Sequence, residues 1–156
     1  VVLGYLLYEQ VAALRANAVS IVTSVFVGCV TGIVSVIFIA RYFGADQALI
    51  ASLEPKSVTT PIAMSIAERS GGIPSIAAVV VIVVGIFGGI VGPFILEKLG
   101  IQSRIAKGLA LGAAAHGLGT ARAMEIGTIE GAISGLAIGV MGIMTAVLVP
   151  VIEWIL

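Results

Sequence analysis

Charge is what this sequence has least of. Only 8 residues are Lys or Arg and 8 are Asp or Glu, 10% of 156, while 60% are hydrophobic and the mean hydropathy is +1.22. Soluble domains are about half apolar and about one quarter charged. So few charged side chains could not cover a core of this size in water, and lipid removes the difficulty. With a formal net charge of zero, nothing suggests nucleic acid as a partner or a polybasic membrane-surface patch. Cysteine is nearly missing. Cys29 stands alone inside an apolar run, which excludes a disulfide framework and reads as a small buried hydrophobe. One histidine cannot build a zinc site, so neither metal nor cofactor is expected. An initiator Met and a basic leader are absent as well, because the chain opens Val1-Val2-Leu3 directly in apolar sequence. The expectation is a single transmembrane domain, 1–156, truncated at its N-terminus with further membrane segments before it.

What is present is long apolar sequence. Ala18 to Ala40, Pro74 to Leu96 and Ala132 to Ile152 contain no Asp, Glu, Lys or Arg. Each can form the ~20-residue helix that crosses ~30 Å of hydrocarbon. Val1 to Tyr8 reads as the end of another span, followed by a polar link through Glu9, Gln10, Arg15 and Asn17. Between the spans lie two broken apolar stretches. Ala48 to Ala67 is interrupted at Glu54-Pro55-Lys56-Ser57 and Pro61, and Ile105 to Met124 is interrupted around Ala115-His116-Gly117-Leu118-Gly119-Thr120. Proline and closely spaced glycine stop helices. Interrupted backbone at membrane depth survives only where protein buries it or a cavity borders it. The fold class is therefore all-α, a polytopic transmembrane bundle with two broken or re-entrant segments.

The halves resemble each other. A shift of 60 places Gly28 on Gly88, Gly32 on Gly92, Leu49 on Leu109, Thr60 on Thr120, Ala63 on Ala123 and Met64 on Met124. Span falls on span and break on break, giving repeat halves of about 18–72 and 78–132. If each broken stretch is a re-entrant hairpin, the second repeat is inverted. If each crosses as a discontinuous helix, the repeats are parallel. The hairpin arrangement puts Arg15, Lys98, Arg104 and Lys107 on one side and Arg41 and Arg69 on the other. The positive-inside rule then favours hairpins, with the Arg15 side cytoplasmic. Inverted repeats with broken helices are a carrier signature.

The breaks hold the candidate site. Thr60 before Pro61 reads as an N-cap followed by proline at the first helical position. A helix starting there aims unpaired N–H groups and a positive dipole end into the protein, and Lys56 adds a full charge beside Ser57 and Thr59. Such a cluster suits a small carboxylate. The alternative is an ordinary interfacial loop, against which stands the six-residue shortness of Ala48 to Leu53. In the second break, Gly117 and Gly119 bracket the interruption, Thr120 caps the helix after it, and Arg122 falls in the new first turn. A cation there opposes the helix dipole and becomes sensible beside an anion: Glu125, Glu54 or a bound substrate. His116 is either a proton carrier or a neutral histidine bonded within the bundle. Asp46, Glu68, Arg69, Glu97, Lys98 and Arg104 read as solvated loop charges, and Glu153-Trp154 as an interfacial end. Gly28/Gly32 and Gly88/Gly92 read as packing faces. Ser57, Thr59 and His116 lack a paired acid that would make a catalytic set. No enzyme is expected.

These residues carry a resemblance. Pro55-Lys56-Ser57-Val58-Thr59-Thr60-Pro61-Ile62-Ala63-Met64, then Gly71-Gly72-Ile73-Pro74, Gly108-Leu109-Ala110-Leu111-Gly112 and Ala115-His116-Gly117-Leu118-Gly119-Thr120-Ala121-Arg122-Ala123 resemble the LrgB/CidB family, which includes a related half of plastid glycolate/glycerate carriers. Tyr5 to Gln10 also resembles that family's Tyr-Pro-Leu-Tyr segment, with Leu6 where proline is expected. The resemblance covers nearly the whole chain. It implies a multi-pass protein of the bacterial inner membrane working with a small LrgA/CidA-like membrane partner. Members are described as antiholin- or holin-like and tied to murein hydrolase control, and are also linked to pyruvate, glycolate and glycerate transport. It brings no catalytic residues.

The expectation is thus a carrier for small monocarboxylates. Lys56, Ser57, Thr59, Thr60, His116, Gly117, Gly119, Thr120 and Arg122 would contact substrate, with Glu54 or His116 coupling a proton. The rival is an antiholin-like regulator of murein hydrolase export and cell lysis, acting through a holin-like partner or as a homo-oligomer within the lipid bilayer.

Overall fold

In the computed structural model, residues 15–155 are described, and the Tyr5 to Gln10 segment and the span ending at Tyr8 lie outside them. Those residues form six helices: α1 (Ala18–Tyr42), α2 (Gln47–Leu53), α3 (Thr60–Arg69), α4 (Pro74–Lys98), α5 (Arg104–Ile126) and α6 (Thr128–Ile155). No strand occurs among the described residues. Three helices, α1, α4 and α6, are long and apolar enough to cross a membrane. They follow the three charge-free runs and extend them by a few residues into the flanking polar sequence. Their outer faces carry exposed Phe26, Phe38, Phe87, Ile90, Phe94 and Ile143. So much apolar surface is tolerable only against hydrocarbon. Exposed Tyr42, Phe43 and Trp154 gather where α1 and α6 end, as aromatic residues do at a lipid–water boundary.

Local chemistry sets the helix ends. After α1, Gly44 takes φ +75° and Ala45 N–H reaches the Ala40 carbonyl at 3.0 Å. After α4, Gly100 takes φ +69° and Ile101 N–H reaches Leu96 at 3.0 Å. This is the left-handed closure that glycine makes without steric cost. Asp46 caps α2 by accepting from Leu49 N–H at 2.8 Å, and Ser103 caps α5 through Ala106 N–H at 3.3 Å.

Both broken stretches fold back on themselves. Along the first, Glu54 meets Glu153, Ser57 shares a crevice with Met141 and Thr145, Ile62 packs at Gly142, and Ser70 returns to Glu153. The chain therefore descends along α6 and climbs again. In the second, α5 is interrupted at His116 (φ 41°, ψ −124°). A straight helix would separate Leu111 and Gly119 by about 12 Å, yet the Leu111 carbonyl lies against Gly119, and Gly112 and Thr120 both meet Ser134. Gly108 packs on the Glu130 carbonyl and Met124 on Gly131, so this hairpin enters and leaves where α6 begins. The first enters where α6 ends.

The direction of the long helices agrees. Arg41, at the end of α1, is in electrostatic range of Glu54, and α4 starts at that same end, where Ile73 N–H donates to Ser52 Oγ at 2.7 Å. A long helix plus a hairpin thus occurs twice, the second time upside down. The two hairpins approach each other where Lys56 and Ser57 share cavities with Ala110 and Ala114.

Candidate functional site

The first hairpin's turn begins with Glu54, 2% exposed, and buried Pro55. Lys56 and Ser57 come next, both half-buried. Thr59, one residue before the expected cap, is the N-cap of α3, and Pro61 is the second helical residue. The shift places Thr60 inside the first turn and leaves the proline's missing N–H harmless. Lys56 Nζ donates to Ser57 Oγ at 3.2 Å and forms no ion pair among the described residues.

Lys56 and Ser57 border two cavities. One, of about 580 Å³, lies against α1 at Ser24, Gly28 and Gly32. The other, of about 390 Å³, lies against α4 at Gly88 and Gly92. Ala110 and Ala114 of α5 border both. A β-carbon at Gly32 would stand 3.6 Å from Lys56 Nζ, and nothing lies within 4 Å of one at Gly28. These two glycines were expected to pack helices, and they open space around the ammonium instead. Their counterparts do pack: a β-carbon at Gly88 would meet that of Ala115 at 2.6 Å, and one at Gly92 the Leu111 side chain at 2.8 Å. The result is a mostly apolar cleft with one cation and one hydroxyl converging in it, the usual make-up of a small-ligand site.

The second hairpin's polar residues turn elsewhere. His116, 6% exposed, points its Nε2 at the Val81 carbonyl, 2.9 Å away. A carbonyl only accepts, so Nε2 carries a proton. Gly85 makes room, since a β-carbon there would come within 2.5 Å of His116 Cε1. This anchor explains why the irregular residue is His116 and neither Gly117 nor Gly119: the ring's bond and burial offset a backbone strain of about 1–3 kcal/mol. Gly119 holds the close approach to Leu111, while nothing lies within 4 Å of a β-carbon at Gly117. Thr120 caps no helix; its hydroxyl shares a hydrogen bond of 2.7 Å with Ser134. Arg122, its side chain 49% exposed, pairs with Glu125. The structure therefore brings Lys56 and Ser57 together at a cavity, keeps Thr59 and Thr60 just behind them, and places His116, Gly117, Gly119, Thr120 and Arg122 outside the cavity lining. Among the described residues no cluster of three metal-ligating side chains occurs.

The LrgB-like family matches residues 1–155. The chain belongs to the LrgB-like family. It is 40% identical over 144 residues to the uncharacterized protein YwbG of Bacillus subtilis (strain 168), covering 92% of this chain and 64% of that protein. It is 37% identical over 155 residues to the uncharacterized protein YxaC of the same organism, covering 99% and 67%. To the antiholin-like protein LrgB of Bacillus mycoides (strain KBAB4) it is 38% identical over 144 residues, covering 92% and 63%. The chain thus spans about two thirds of the length of these relatives. No solved structure gives a significant match.

One acid of this LrgB-like chain sits otherwise than the linear pattern suggested, and a second, Glu130, is buried without having been singled out. Glu153, expected at the water boundary beside Trp154, turns inward: it meets Glu54, its Oε2 accepts from Ser70 Oγ at 3.1 Å, and its Oε1 is buried. Glu130 is 6% exposed at the start of α6, against Gly127 and near Gly108. Neither carries a sequence signal. Each lies in the first or last turn of an apolar span, where a solvated acid is the ordinary occupant.

Proposed function

We propose that this LrgB-like protein is part of a membrane carrier for small organic anions of the monocarboxylate type, such as pyruvate, glycolate or glycerate. The observation behind this reading is Lys56. An ammonium held at the turn of a re-entrant hairpin, between two cavities and without an ion-pair partner among the described residues, is costly in an apolar medium unless an anion visits it. Small alanine and glycine side chains around it leave room for a ligand of a few heavy atoms. Ser57 supplies a hydroxyl beside the charge. Inversion of the two hairpins supports the same reading, since carriers place their site where opposed broken segments meet near the midplane. Glu54 and His116 are the candidates for proton coupling. The carrier would sit multi-pass in the bacterial inner membrane, with the Arg15, Lys98, Arg104 and Lys107 end in the cytoplasm.

Uptake of labelled glycolate or pyruvate into proteoliposomes holding the full-length protein tests this. Lys56→Ala is expected to lower initial uptake at least tenfold. Arg122→Ala, which removes an exposed pair worth at most about 1 kcal/mol, is expected to stay within about twofold. Full transport by Lys56→Ala would remove the site.

A second reading rests on the relatives named antiholin-like protein LrgB. In it the protein regulates murein hydrolase export and lysis through an LrgA/CidA-like partner or through self-association. It predicts lysis defects from changes on the exposed helix faces and none from Lys56→Ala. Measuring solute flux and lysis in the same strains separates the two.

A further inference from the structure

The Glu54–Glu153 contact has a chemistry of its own. Glu54, 2% exposed, and Glu153 point their carboxyls at each other from the first hairpin and from the last turn of α6. Glu54 Oε2 and Glu153 Oε1 are buried, and neither has a hydrogen-bond partner among the described residues. Ser70 Oγ donates to the other oxygen of Glu153 at 3.1 Å. The charged groups nearby are Arg41 from α1, in electrostatic range of Glu54, and Arg69 from α3, which borders the same cavity as Glu153. Lys56 lies two residues on from Glu54, and Cys29 of α1 borders the same crevice. Neither acid forms an ion pair with any of these cations among the described residues. Two facing carboxyls without a cation need a donor between them, because ionised carboxylates only accept.

Location gives the donor a route. Glu153 borders a cavity of about 440 Å³ with Ser65, Arg69 and Pro150, at the end where α6 finishes. Glu54 borders a crevice of about 10 Å³ with Cys29, Gly32, Ser57 and Thr145, space for about one water. Gly32 and Ser57 also border the large cavity around Lys56. The acid pair therefore stands between an outer opening and the candidate anion site.

We propose that Glu54 and Glu153 form a proton-binding site that holds one proton between their facing oxygens and passes it between the Arg69-side cavity and the Lys56 cavity. Entering from the outer side, the proton bonds to Glu153 Oε1 and bridges to Glu54 Oε2. It leaves when Glu54 hands it to water in the Ser57 crevice, which returns the pair to its unprotonated form. The reverse order carries a proton outward. One proton satisfies both unpartnered oxygens, whereas a metal ion would need several more oxygen ligands than the pair and Ser70 supply. This proposal rests on the carrier reading for its purpose, though not for its existence.

Two measurements on the full-length protein test it. In purified protein, infrared difference spectra across a pH titration are expected to show one protonated-carboxyl band that disappears in both Glu54→Gln and Glu153→Gln. Glutamine is isosteric and its amide can donate in the proton's place, so Glu153→Gln is expected to fold. In proteoliposomes, an imposed pH gradient is expected to raise wild-type glycolate uptake at least tenfold, while in Glu153→Gln the ratio with and without the gradient falls to about one. A band that survives both substitutions, pH-driven accumulation by Glu153→Gln, or accumulation driven by a sodium gradient in place of a proton gradient overturns the proton site. If wild-type protein shows the band and no glycolate flux, the proton site stands and the carrier reading falls.

Discussion

Gly119→Ala tests the fold-back of α5 through the sign of a stability change. In the interior of an unbroken helix, replacing glycine by alanine stabilises by about 0.8–1.0 kcal/mol. At Gly119 the new β-carbon would instead press on the Leu111 carbonyl oxygen, with the Leu111 carbonyl carbon at 2.9 Å and the Ala115 β-carbon at 2.8 Å. The first two are backbone atoms, so relief requires the hairpin to open. Overpacking of this kind costs about 1–3 kcal/mol. Gly139 of α6 is the internal control, because nothing lies within 4 Å of a β-carbon there. The two variants should therefore separate by about 2–4 kcal/mol. For a chain of this size that is on the order of 10 °C in melting temperature. Thermal unfolding of the full-length protein in detergent, with both variants run in parallel, reads the difference. If Gly119→Ala melts at or above Gly139→Ala, residues 111 and 119 are not in contact and α5 is a continuous rod.

Gly85→Ala is expected to push the His116 ring off the Val81 carbonyl and lower stability by about 2–4 kcal/mol, a packing cost plus a lost hydrogen bond; an unchanged melting temperature would dissociate His116 from α4. Thr120→Val strips the buried Ser134 hydroxyl of its hydrogen-bond partner and should cost about 1–3 kcal/mol, with Thr120→Ser recovering most of it in the same melting assay. Gly28→Leu should not lower stability, since nothing lies within 4 Å of a β-carbon there and leucine favours helix over glycine, yet should cut glycolate uptake by filling the cavity beside Lys56. Gly88→Leu should do the opposite first, destabilising the contact with Ala115; equal behaviour of the two in melting and uptake would contradict the division of roles between the glycine pairs.

The long helices were legible because hydrocarbon imposes a simple rule: about twenty residues without charge. Ala18 to Ala40 and Pro74 to Leu96 obey it, and α1 and α4 track them. The breaks were legible as regions, since Pro55 with Lys56 and Gly117 with Gly119 cannot continue a helix inside oil without help. Their exact joints were not. Thr59 displaced Thr60 as cap, and His116 displaced the glycines as the irregular residue. In both cases a tertiary contact or a proline's place in the first turn decided the matter. Arg122 shows another limit. Its neighbour Glu125, one of three anions considered, satisfies it on the exposed face, and a helix-local pair needs no substrate. Glu153 shows the largest gap. Its meeting with Glu54 joins residues about a hundred positions apart, and no periodicity links them.

The same Gly-x-x-x-Gly spacing does two different jobs in the two repeats, and that difference bears on function. At Gly88 and Gly92 the missing side chains let α5 seat against α4, beside the smaller of the two cavities at Lys56. At Gly28 and Gly32 no helix fills the space, and the opening is occupied by Lys56 and bounded by Ala110 and Ala114 of the opposite hairpin. A repeat pair under only structural demands would gain by packing both faces, since dispersion contacts are what hold helices together where water provides no hydrophobic drive. Leaving one face open around a cation forfeits those contacts and keeps a charge in an apolar setting. On the proposed carrier reading that opening is where an anion would enter the bundle, and the acid pair on the far side of Ser57 stands where such a carrier would take up or release a proton.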